Sequence, residues 1–336
     1  MPVTVIFGAG GIGTGNFAST WDTPSKASSL LSSLTKLGIS QLDSAASYPP
    51  GSPWDTETLL GQARSVEKGF VIDTKILFSS SVEERRVNLS EKSIDSSIER
   101  SLELLGTEKR IHILYAHAPN PETPIEETAA AFHKHYLAGK FEKLGICNFN
   151  AEQMRDLLSV CSAKGYAKPS IYQGQYNALF RSCEKHLFPL LREHNIKFYA
   201  YSPLAGGFLT GKLTPPEMAS SAASRNRYTG PNAAPFWNNV FNRLPVHRAL
   251  KHLSETLQSL PEAKGMSLAE VSLRWLVYHS ALGNEDGVIL GASRAEQVVE
   301  SVRCCRAGPL SEDIRKAVEG LWEDSRKDRF GERVNL

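Results

Sequence analysis

The sequence has few cysteines, and their arrangement does not support a disulfide framework. Five occur in 336 residues, at Cys147, Cys161, Cys183 and the adjacent pair Cys304 and Cys305, and no two form a CxxC motif. An odd number without paired spacing argues against a disulfide-rich secreted fold and against a zinc ribbon. We therefore expect reduced thiols, with one of the adjacent pair buried and its neighbour partly exposed on a helix.

Long runs of one charge sign and long apolar runs are also missing. The 38 basic and 36 acidic residues are spread along the chain and give a net charge of +2, which disfavours a nucleic-acid partner. No uninterrupted apolar stretch is long enough to cross a bilayer, and the opening MPVTVIFGAGG lacks the features of a signal peptide. We expect a cytoplasmic protein without a membrane partner, whose 41% hydrophobic residues supply an ample core.

Eight short apolar runs alternate with segments of helical periodicity. The runs read VTVIF, ISQLD, FVIDTK, IHILYAH, KLGICN, SIYQG, IKFYAYS and GVILGAS. Helical spacing of apolar residues marks the segments 24–37, 56–65, 90–105, 124–137, 151–162, 183–194, 268–279 and 294–304. Repeated strand and helix units with right-handed crossovers close naturally into a (β/α)8 barrel. The pattern therefore predicts a single barrel domain over residues 1–336.

One interval between predicted strands is much longer than the others. The seventh run ends near Ser202 and the eighth near Ser293, and the stretch 205–245 between them is rich in Gly, Pro, Ser and Asn. Loops of this length in compact folds are usually functional or disordered. We expect 205–245 to be a loop insertion after the seventh strand that covers a bound cofactor.

Gly8, Gly10 and Gly13 have the GxGxxG spacing of a dinucleotide-binding turn. That fingerprint needs a helix to begin inside the glycine run, but the first helix signal comes only at Thr23 and Pro24. A Rossmann turn is therefore disfavoured. We interpret the glycines as a loop that lets a ligand approach the backbone closely.

Four residues at or just after the ends of early runs carry groups that hold or move protons: Asp43, Tyr48, Lys75 and His117. In a parallel barrel the carboxyl ends of the strands meet at one face, where catalytic residues lie. A tyrosine hydroxyl with a reference pKa of ~10 is a weak acid, and a lysine cation beside it would stabilise its anion. The aspartate would keep the lysine protonated, and the histidine would hydrogen-bond the tyrosine or substrate oxygen. This set suits protonation of a carbonyl oxygen while a nicotinamide supplies hydride.

The order Asp, Tyr, Lys and His resembles the catalytic tetrad of the aldo-keto reductases, which are (β/α)8 barrels. LDSAASY resembles the family segment D-x-A-x-x-Y, and Glu57 and Gly61 match the E-x-x-x-G that follows it. KLGICNFN is similar to the segment G-x-S-N-F, with Cys147 in place of the serine. YQGQYNALFR and FYAYSPLAGGFLTGK resemble the branch of aflatoxin-aldehyde and succinic-semialdehyde reductases. The resemblance covers nearly the whole chain.

The resemblance implies reduction of an aldehyde or ketone, with Tyr48 as the general acid and the rest of the tetrad tuning it and orienting the carbonyl. Trp21, Trp54 and Trp237 fall in loops expected on the catalytic face. We expect these tryptophans, together with His117, to line the substrate pocket, because such pockets are largely apolar.

The resemblance also implies a nicotinamide cofactor. Basic side chains at Lys212, Arg227 and Arg294 favour NADPH over NADH, because a 2′-phosphate needs charge-assisted donors. The implied cofactor-binding positions are Asn148, Gln173, Tyr201, Ser202, Pro203, Leu204, Gly206, Gly207, Lys212, Arg227, Ser293, Arg294 and Gln297.

Two other functions compete with the reductase. One is a cofactor-binding regulatory subunit resembling the potassium-channel β-subunits, which share the fold. The other is a metal-dependent barrel hydrolase that would use an HxH pair. His133 and His135 form such a pair, but they lie on a predicted helix where residues i and i+2 point apart, and we expect them to be solvent-exposed. We therefore predict no metal site. The resembling branch is often dimeric, which leaves a homodimer open.

Overall fold

Eight parallel strands close into a barrel in the structure, a computed structural model that describes residues 3–14, 20–78, 88–107, 110–212, 241 and 243–326. Each strand pairs with the next along the chain, and the eighth pairs with the first. The strands are β1 Thr4–Gly8, β2 Gln41–Asp43, β3 Val71–Lys75, β4 Ile111–Ala116, β5 Phe141–Cys147, β6 Ile171–Gln175, β7 Lys197–Tyr201 and β8 Gly287–Leu290. The predicted (β/α)8 barrel is confirmed.

Helices follow the strands and cover the outside of the barrel. They are α1 Pro24–Lys36, α2 Asp55–Gln62, α3 Glu91–Leu105, α4 Ile125–Leu137, α5 Ala151–Lys164, α6 Leu187–Glu193, α7 Leu244–Ser259, α8 Leu268–Tyr278, α9 Ala295–Arg306 and α10 Glu312–Ser325. The sequence analysis did not predict α7 and α10, which pack against each other. Among the described helices, none combines the length and the apolarity that crossing a membrane requires.

The glycine run after β1 does not open a long helix. Ala9–Gly11 form a single 3-10 turn, and α1 begins only at Pro24, where the Thr23 hydroxyl accepts a hydrogen bond from the N–H of Lys26 at 3.3 Å. Gly13 has a φ of +132°, and a Cβ there would lie 2.7 Å from a ring carbon of Pro49. Only glycine fits this turn without displacing its neighbour. The rejection of a Rossmann turn is confirmed.

Alternate side chains along each strand divide the apolar residues into two layers. Phe7 and Leu114 belong to the layer between strands and helices, whereas their neighbours point the other way. The inner layer fills the barrel with side chains from six strands, which are Ile6, Ile113, Tyr115, Cys147, Ile171, Tyr199 and Ile289. Polar groups of β2, β3 and β6 occupy the rest of the interior, so the barrel is a packed core with a charged centre.

The predicted insertion 205–245 is described only at its two ends. Ala205–Thr210 form a 3-10 turn, and Leu244 begins α7. Residues 213–240, which contain Arg227 and Trp237, lie outside the described part of the chain. The cofactor-covering role of the insertion stays a prediction.

The packing of the helices corrects the prediction for one pair of cysteines. All five cysteines are free thiols, as expected. Cys304 and Cys305, however, are both buried, at 1% and 0% exposure, and both belong to the layer between strands and helices. The expectation of one partly exposed thiol is wrong, because both side chains pack into the apolar core.

The HxH pair lies on α4, as predicted, but its expected solvent exposure is wrong. His135 is 8% exposed, and its Nε2 lies 2.5 Å from Asp95 Oδ1 on α3. His133 stacks on Tyr166, with ring centroids 4.8 Å apart. Neighbouring elements on both sides of α4 therefore cover the two imidazoles, and neither lies at a strand end.

Candidate active site

Lys75 is the buried centre of the site. It ends β3, and its Nζ donates hydrogen bonds to both carboxylate oxygens of Asp43, at 2.7 and 2.8 Å, and to the carbonyl oxygen of Ser44 at 2.7 Å. The lysine and aspartate side chains are 0% and 3% exposed. Burial alone favours the neutral amine, but the charges of Asp43 and Tyr48 outweigh it and raise the pKa of Lys75. The barrel thus holds a buried cation at the carboxyl ends of its strands.

Tyr48 lies against this cation. The Nζ of Lys75 is 5.0 Å from the centroid of the Tyr48 ring, and a Cβ added to Gly10 would lie 3.4 Å from two carbons of the same ring. The loop is fixed by its backbone, since the N–H of Tyr48 donates to Ala45 O at 3.0 Å and the N–H of Thr56 donates to Tyr48 O at 3.2 Å. The glycine run after β1 therefore packs on the tyrosine, with no side chain between them.

His117 completes the predicted tetrad just after β4. Its ring lies edge-on to Tyr48, with centroids 5.8 Å apart and planes at 85°. Burial, assisted by the charge of Lys75, lowers the pKa of His117 to about 3. The structure therefore brings all four predicted residues together and keeps the imidazole neutral beside the tyrosine.

Gln173, predicted to bind nicotinamide, is bonded inside the barrel at both ends of its amide. Its Nε2 donates to Asp43 Oδ1 at 2.7 Å, and its Oε1 accepts from the Cys147 thiol at 3.8 Å. Burial raises the pKa of Cys147 to about 12, so this thiol remains a donor. Gln175, which was not predicted, is two residues further along β6 and faces the same interior. It is 6% exposed, and its Nε2 has no hydrogen-bond partner among the described residues.

Asn148 connects the ends of three strands. Its φ of 64° is left-handed, a conformation that asparagine adopts more readily than most residues. Its Nδ2 donates to the carbonyl oxygen of His117 at 3.0 Å, and its Oδ1 accepts from the hydroxyl of Tyr201 at 2.9 Å. These bonds tie the carboxyl ends of β4, β5 and β7 together.

The segment after β7 turns sharply at this face. Ser202 and Ala205 have φ of 53° and 48°, and Gly206 and Gly207 have φ of 64° and 119°. The predicted residues Pro203–Leu204 lie within the turn. A Cβ on Gly207 would meet no atom within 4 Å, so the backbone there has open space beside it. This segment offers main-chain groups on the rim of the barrel.

The segment after β8 leads into α9 and carries three more predicted residues. Ser293, Arg294 and Gln297 are exposed. Gln297 Oε1 accepts from the N–H groups of Ser293 and Arg294, at 2.9 and 3.1 Å, and so holds the turn at the start of α9. Lys212 is also exposed and is the last described residue before 213–240.

The two predicted tryptophans within the described residues occupy different environments. Trp21 is 5% exposed and packs edge-on against Phe7, with ring centroids 6.0 Å apart. Trp54 is partly exposed and has a φ of 73° just before α2. Its backbone N–H donates to Ala46 O at 2.7 Å. Trp21 thus packs beside β1, and Trp54 braces the loop that carries Tyr48.

Sequence reasoning missed two residues beside the tetrad. Phe78, three residues past the end of β3, is 37% exposed, and its ring centroid lies 5.8 Å from that of His117. Ser47 precedes Tyr48 and hydrogen-bonds the backbone of Phe78. No periodicity marks either residue, because the contact joins two irregular segments beyond the strand ends.

Glu57 and Gly61 support the site from α2. Glu57 is fully buried, and its oxygens accept from the hydroxyls of Thr74 at 2.5 Å and Ser101 at 3.1 Å. Burial raises the pKa of Glu57 to about 7, against the effect of these hydrogen bonds and of the Lys75 charge. A Cβ on Gly61 would lie 1.9 Å from the carbonyl oxygen of Leu104, so glycine permits the close packing of α2 on α3.

Comparison with known proteins identifies the family. Residues 5–323 match the sequence model of the Aldo/keto reductase family. The chain is 36% identical over 295 residues to an aldo-keto reductase from Pseudocercospora fijiensis, covering 87% of this chain and 96% of that protein. It is 32% identical over 313 residues to aflatoxin B1 aldehyde reductase member 2 from Homo sapiens, covering 93% and 85%. It is 34% identical over 328 residues to oxidoreductase sirO from Leptosphaeria maculans, covering 94% of each. The resemblance inferred from the motifs is confirmed, and the chain belongs to the aldo/keto reductase family of oxidoreductases.

Proposed function

We propose that this protein reduces the carbonyl group of an aldehyde or ketone to an alcohol, with NADPH as the hydride donor and Tyr48 as the proton donor. The observation that carries the proposal is the Lys75 ammonium, which is fully buried, bonded to Asp43 and 5.0 Å from the Tyr48 ring. A relative named as an aldehyde reductase supports the reaction class.

Tyr48 gives its proton to the oxygen of the substrate carbonyl as the alkoxide develops. The tyrosinate that remains is stabilised by the Lys75 cation, because opposite charges attract each other strongly in a buried site. Asp43 keeps the lysine protonated, so the positive charge is present throughout turnover. The barrel supplies this field without rearranging, because both partners are already buried and bonded to each other.

His117 positions the carbonyl oxygen in this proposal. With a pKa of about 3, its imidazole is neutral at physiological pH and cannot replace Tyr48 as the source of the proton. A neutral imidazole can still donate one hydrogen bond to the carbonyl oxygen. The division of roles follows from burial: the tyrosine transfers the proton and the histidine holds the acceptor.

The strand ends from β5 to β8 fit a nicotinamide dinucleotide, which when bound would supply the hydride. Asn148 and Gln173 each use one amide N–H within the chain and keep a second for a ligand. Gln175, at the end of β6, faces the interior with an Nε2 that has no hydrogen-bond partner among the described residues, and open space lies beside Gly207 after β7. Arg294 stands at the start of α9, where a helix N-terminus favours phosphate.

Replacing Tyr48 by phenylalanine tests the proposed proton donor. We expect Tyr48→Phe to lower the rate of NADPH consumption by about 10²- to 10⁴-fold, the usual contribution of a general acid. The substrates would be aromatic aldehydes, α-dicarbonyls and succinic semialdehyde. The affinity for NADPH, measured by fluorescence titration, should stay within about threefold. Full activity in the variant would refute the assignment. Tight NADPH binding without turnover in the unaltered protein would favour a regulatory subunit.

The preference for NADPH has a separate test. Lys212 and Arg294 are proposed to bind the 2′-phosphate, and changing both to alanine should narrow the ratio of kcat/KM for NADPH over NADH. An unchanged ratio would refute this pairing. Arg227 is a third candidate for the same group. A homodimer and a cytoplasmic location remain predictions, which sedimentation analysis and cell fractionation would test.

A further inference from the structure

Asp73, His112 and Lys143 form a chain of polar contacts outside the tetrad. They lie on the neighbouring strands β3, β4 and β5. The Nδ1 of His112 lies 2.7 Å from Asp73 Oδ1, and the Nε2 of the same ring lies 3.0 Å from Lys143 Nζ. His112 and Lys143 stand in the first halves of β4 and β5, whereas the tetrad stands at or beyond the carboxyl ends of the strands. The chain is therefore separate from the proposed active site.

The donors and acceptors of this chain determine the tautomer of His112. A lysine ammonium has only donors, so the Nε2 of His112 accepts a hydrogen bond from Lys143. A neutral imidazole that accepts at Nε2 carries its proton on Nδ1, and this N–H donates to Asp73 Oδ1. Asp73 is 0% exposed, and its Oδ2 accepts from Gln41 Nε2 at 2.7 Å. Buried groups thus orient the imidazole so that its proton acceptor faces the lysine.

The Lys143 side chain is exposed, and its hydrogen-bond partner is an imidazole. Among the described residues, no carboxylate lies within ion-pair distance of its ammonium, because the adjacent Glu142 accepts from Arg110 at 2.9 Å instead. A carboxylate would hold the proton on the amine, whereas an imidazole nitrogen can remove it. Lys140, just before β5, is also exposed. With Glu142 paired to Arg110, the two lysines give the start of β5 an excess of positive charge that attracts anions.

We propose that Lys143 is a site of covalent acylation by acyl thioesters of coenzyme A, with His112 as the general base. A nucleophile within hydrogen-bond reach of a base that is itself oriented by a third group is the arrangement that activates side-chain nucleophiles. Asp73 is a positioning residue, which orients the imidazole and stabilises the imidazolium that forms. The phosphate groups of coenzyme A match the positive charge around Lys143. This modification is independent of the proposed carbonyl reduction.

The step is an acyl transfer in which no atom is oxidised or reduced. The Nε2 of His112 takes one proton from the Lys143 ammonium, and the lone pair that this frees attacks the carbonyl carbon of the thioester. The carbon–nitrogen bond forms as the carbon–sulfur bond breaks, and the departing thiolate takes the proton from His112. A second proton leaves the nitrogen for water. The products are an amide at Lys143, a free thiol and one proton.

The first test compares lysines within the unaltered protein. The protein would be incubated with acetyl coenzyme A, and acetylation of each lysine would be followed over time by peptide mass spectrometry. Lys92 on α3 and Lys264 before α8 are the controls, because both are exposed and neither donates a side-chain hydrogen bond to a described residue. We expect acetylation of Lys143 to be about tenfold faster than that of either control. A rate at Lys143 no higher than at the controls would overturn the inference.

Two substitutions of His112 test the base. His112→Asn retains a donor for Asp73, and His112→Gln retains an acceptor for Lys143, but neither amide can take up a proton. We expect both variants to lower the acetylation rate of Lys143 to that of Lys92 and to leave the rate at Lys92 unchanged. Asp73→Asn, which removes the charge that faces the imidazolium, should lower the rate at Lys143 about threefold. An unchanged rate at Lys143 in either folded His112 variant, with folding checked by circular dichroism, would overturn the inference.

An uncharged thioester tests the part assigned to coenzyme A. S-Acetyl-N-acetylcysteamine carries the same acetyl thioester without phosphate groups. We expect the ratio of the acetylation rates at Lys143 and Lys92 to be about threefold smaller with this donor than with acetyl coenzyme A, because the positive charge around Lys143 then has no phosphate to attract. The same ratio with both donors would overturn the assignment of coenzyme A thioesters as the preferred class.

Discussion

The interior of the barrel holds two neighbouring aspartates that are bound in different ways. Asp43 and Asp73 are partners across the β2–β3 pair, and both are buried. Asp43 receives two hydrogen bonds from the Lys75 ammonium. Asp73 receives one from Gln41 Nε2 at 2.7 Å and lies 2.7 Å from the Nδ1 of His112. One carboxyl group therefore faces a fixed cation and the other faces groups that are neutral or only conditionally charged.

The partner of a buried acid decides what the acid can do. Burial raises the pKa of Asp73, against the effect of His112 and Gln41, and the charge of Asp43 adds to the rise. Burial also raises the pKa of Glu57, whose oxygens accept hydrogen bonds from the hydroxyls of Thr74 and Ser101. Within the described part of the chain, neither carboxyl group hydrogen-bonds a lysine. The proposed proton chemistry lies where a buried acid and a buried lysine meet, because their mutual attraction keeps both groups charged inside the barrel.

Of the substitutions that test this difference between the two aspartates, removal of Lys75 should lower the stability of the protein most. Lys75→Met keeps most of the side-chain volume but leaves Asp43 buried without its cation. We expect the free energy of unfolding, measured by urea denaturation at neutral pH, to fall by about 3–5 kcal/mol. The double variant Lys75→Met with Asp43→Asn should recover part of this loss. A double variant less stable than Lys75→Met would show that the loss does not come from the unpaired charge.

Glu57 should produce the next largest effect, and this effect depends on pH. Its pKa is about 7 in the folded protein and 4.5 for the free group. The protonated Glu57 carboxyl therefore stabilises the folded protein. This contribution is fully present below pH 4.5 and is lost as the pH rises through about 7, because the buried carboxyl must then ionise. The full change corresponds to about 3 kcal/mol. Glu57→Gln should flatten the unfolding free energy between these pH values, whereas Glu126→Gln, at an exposed position of α4, should not. The same dependence of the unfolding free energy on pH in both variants would contradict the assignment of this dependence to Glu57.

His112→Ala, which removes a partner of Asp73, should lower the free energy of unfolding by a smaller amount. The substitution removes the imidazole that lies against Asp73 Oδ1, and we expect a loss of about 1–3 kcal/mol in unfolding free energy. Lys143, whose Nζ is 3.0 Å from the Nε2 of His112, provides the control. It is exposed, so Lys143→Ala should cost less than about 1 kcal/mol. Equal losses in the two variants would contradict a specific role of the Asp73 contact.

The smallest expected effect concerns His117, whose imidazole should stay neutral over the pH range in which a free histidine titrates. The pKa of His117 falls from 6.5 to about 3 in the folded protein. Its contribution to stability is therefore present above pH 6.5 and is lost as the pH falls towards 3. The NMR shifts of the His117 ring should stay constant between about pH 5 and 8, the range in which an unperturbed histidine titrates. An inflection near pH 6.5 would show that the imidazole is not held neutral.

The barrel and the tetrad could be predicted because both depend on local patterns. Each strand is an apolar run of a few residues, and Asp43, Lys75 and His117 lie at or next to the ends of such runs. Parallel strands bring those ends to one face without further information. Helix α7 has the same kind of pattern, with Val246 and Leu250 buried, but it follows a stretch rich in Gly, Pro and Ser that suggested a loop.

The contacts between segments could not be predicted, because they depend on register and on rotamers. Nothing in the sequence places the Ser47 hydroxyl against the backbone of Phe78, or His112 against Asp73. The burial of His135 depends on α3, which supplies Asp95 from 40 residues earlier. Such partners are fixed only when the barrel has closed and the helices have packed around it.

The bridge at Asn148 has a consequence for protein engineering. Its amide binds the main chain at the end of β4 and the Tyr201 hydroxyl at the end of β7. Chimeras that exchange with a relative only one of the loops after β4, β5 and β7 would pair the Asn148 amide of one parent with an acceptor or a donor of the other. The segments around His117, Asn148 and Tyr201 should therefore be transplanted as one cassette, whereas Ser293 and the start of α9 can be varied independently of it.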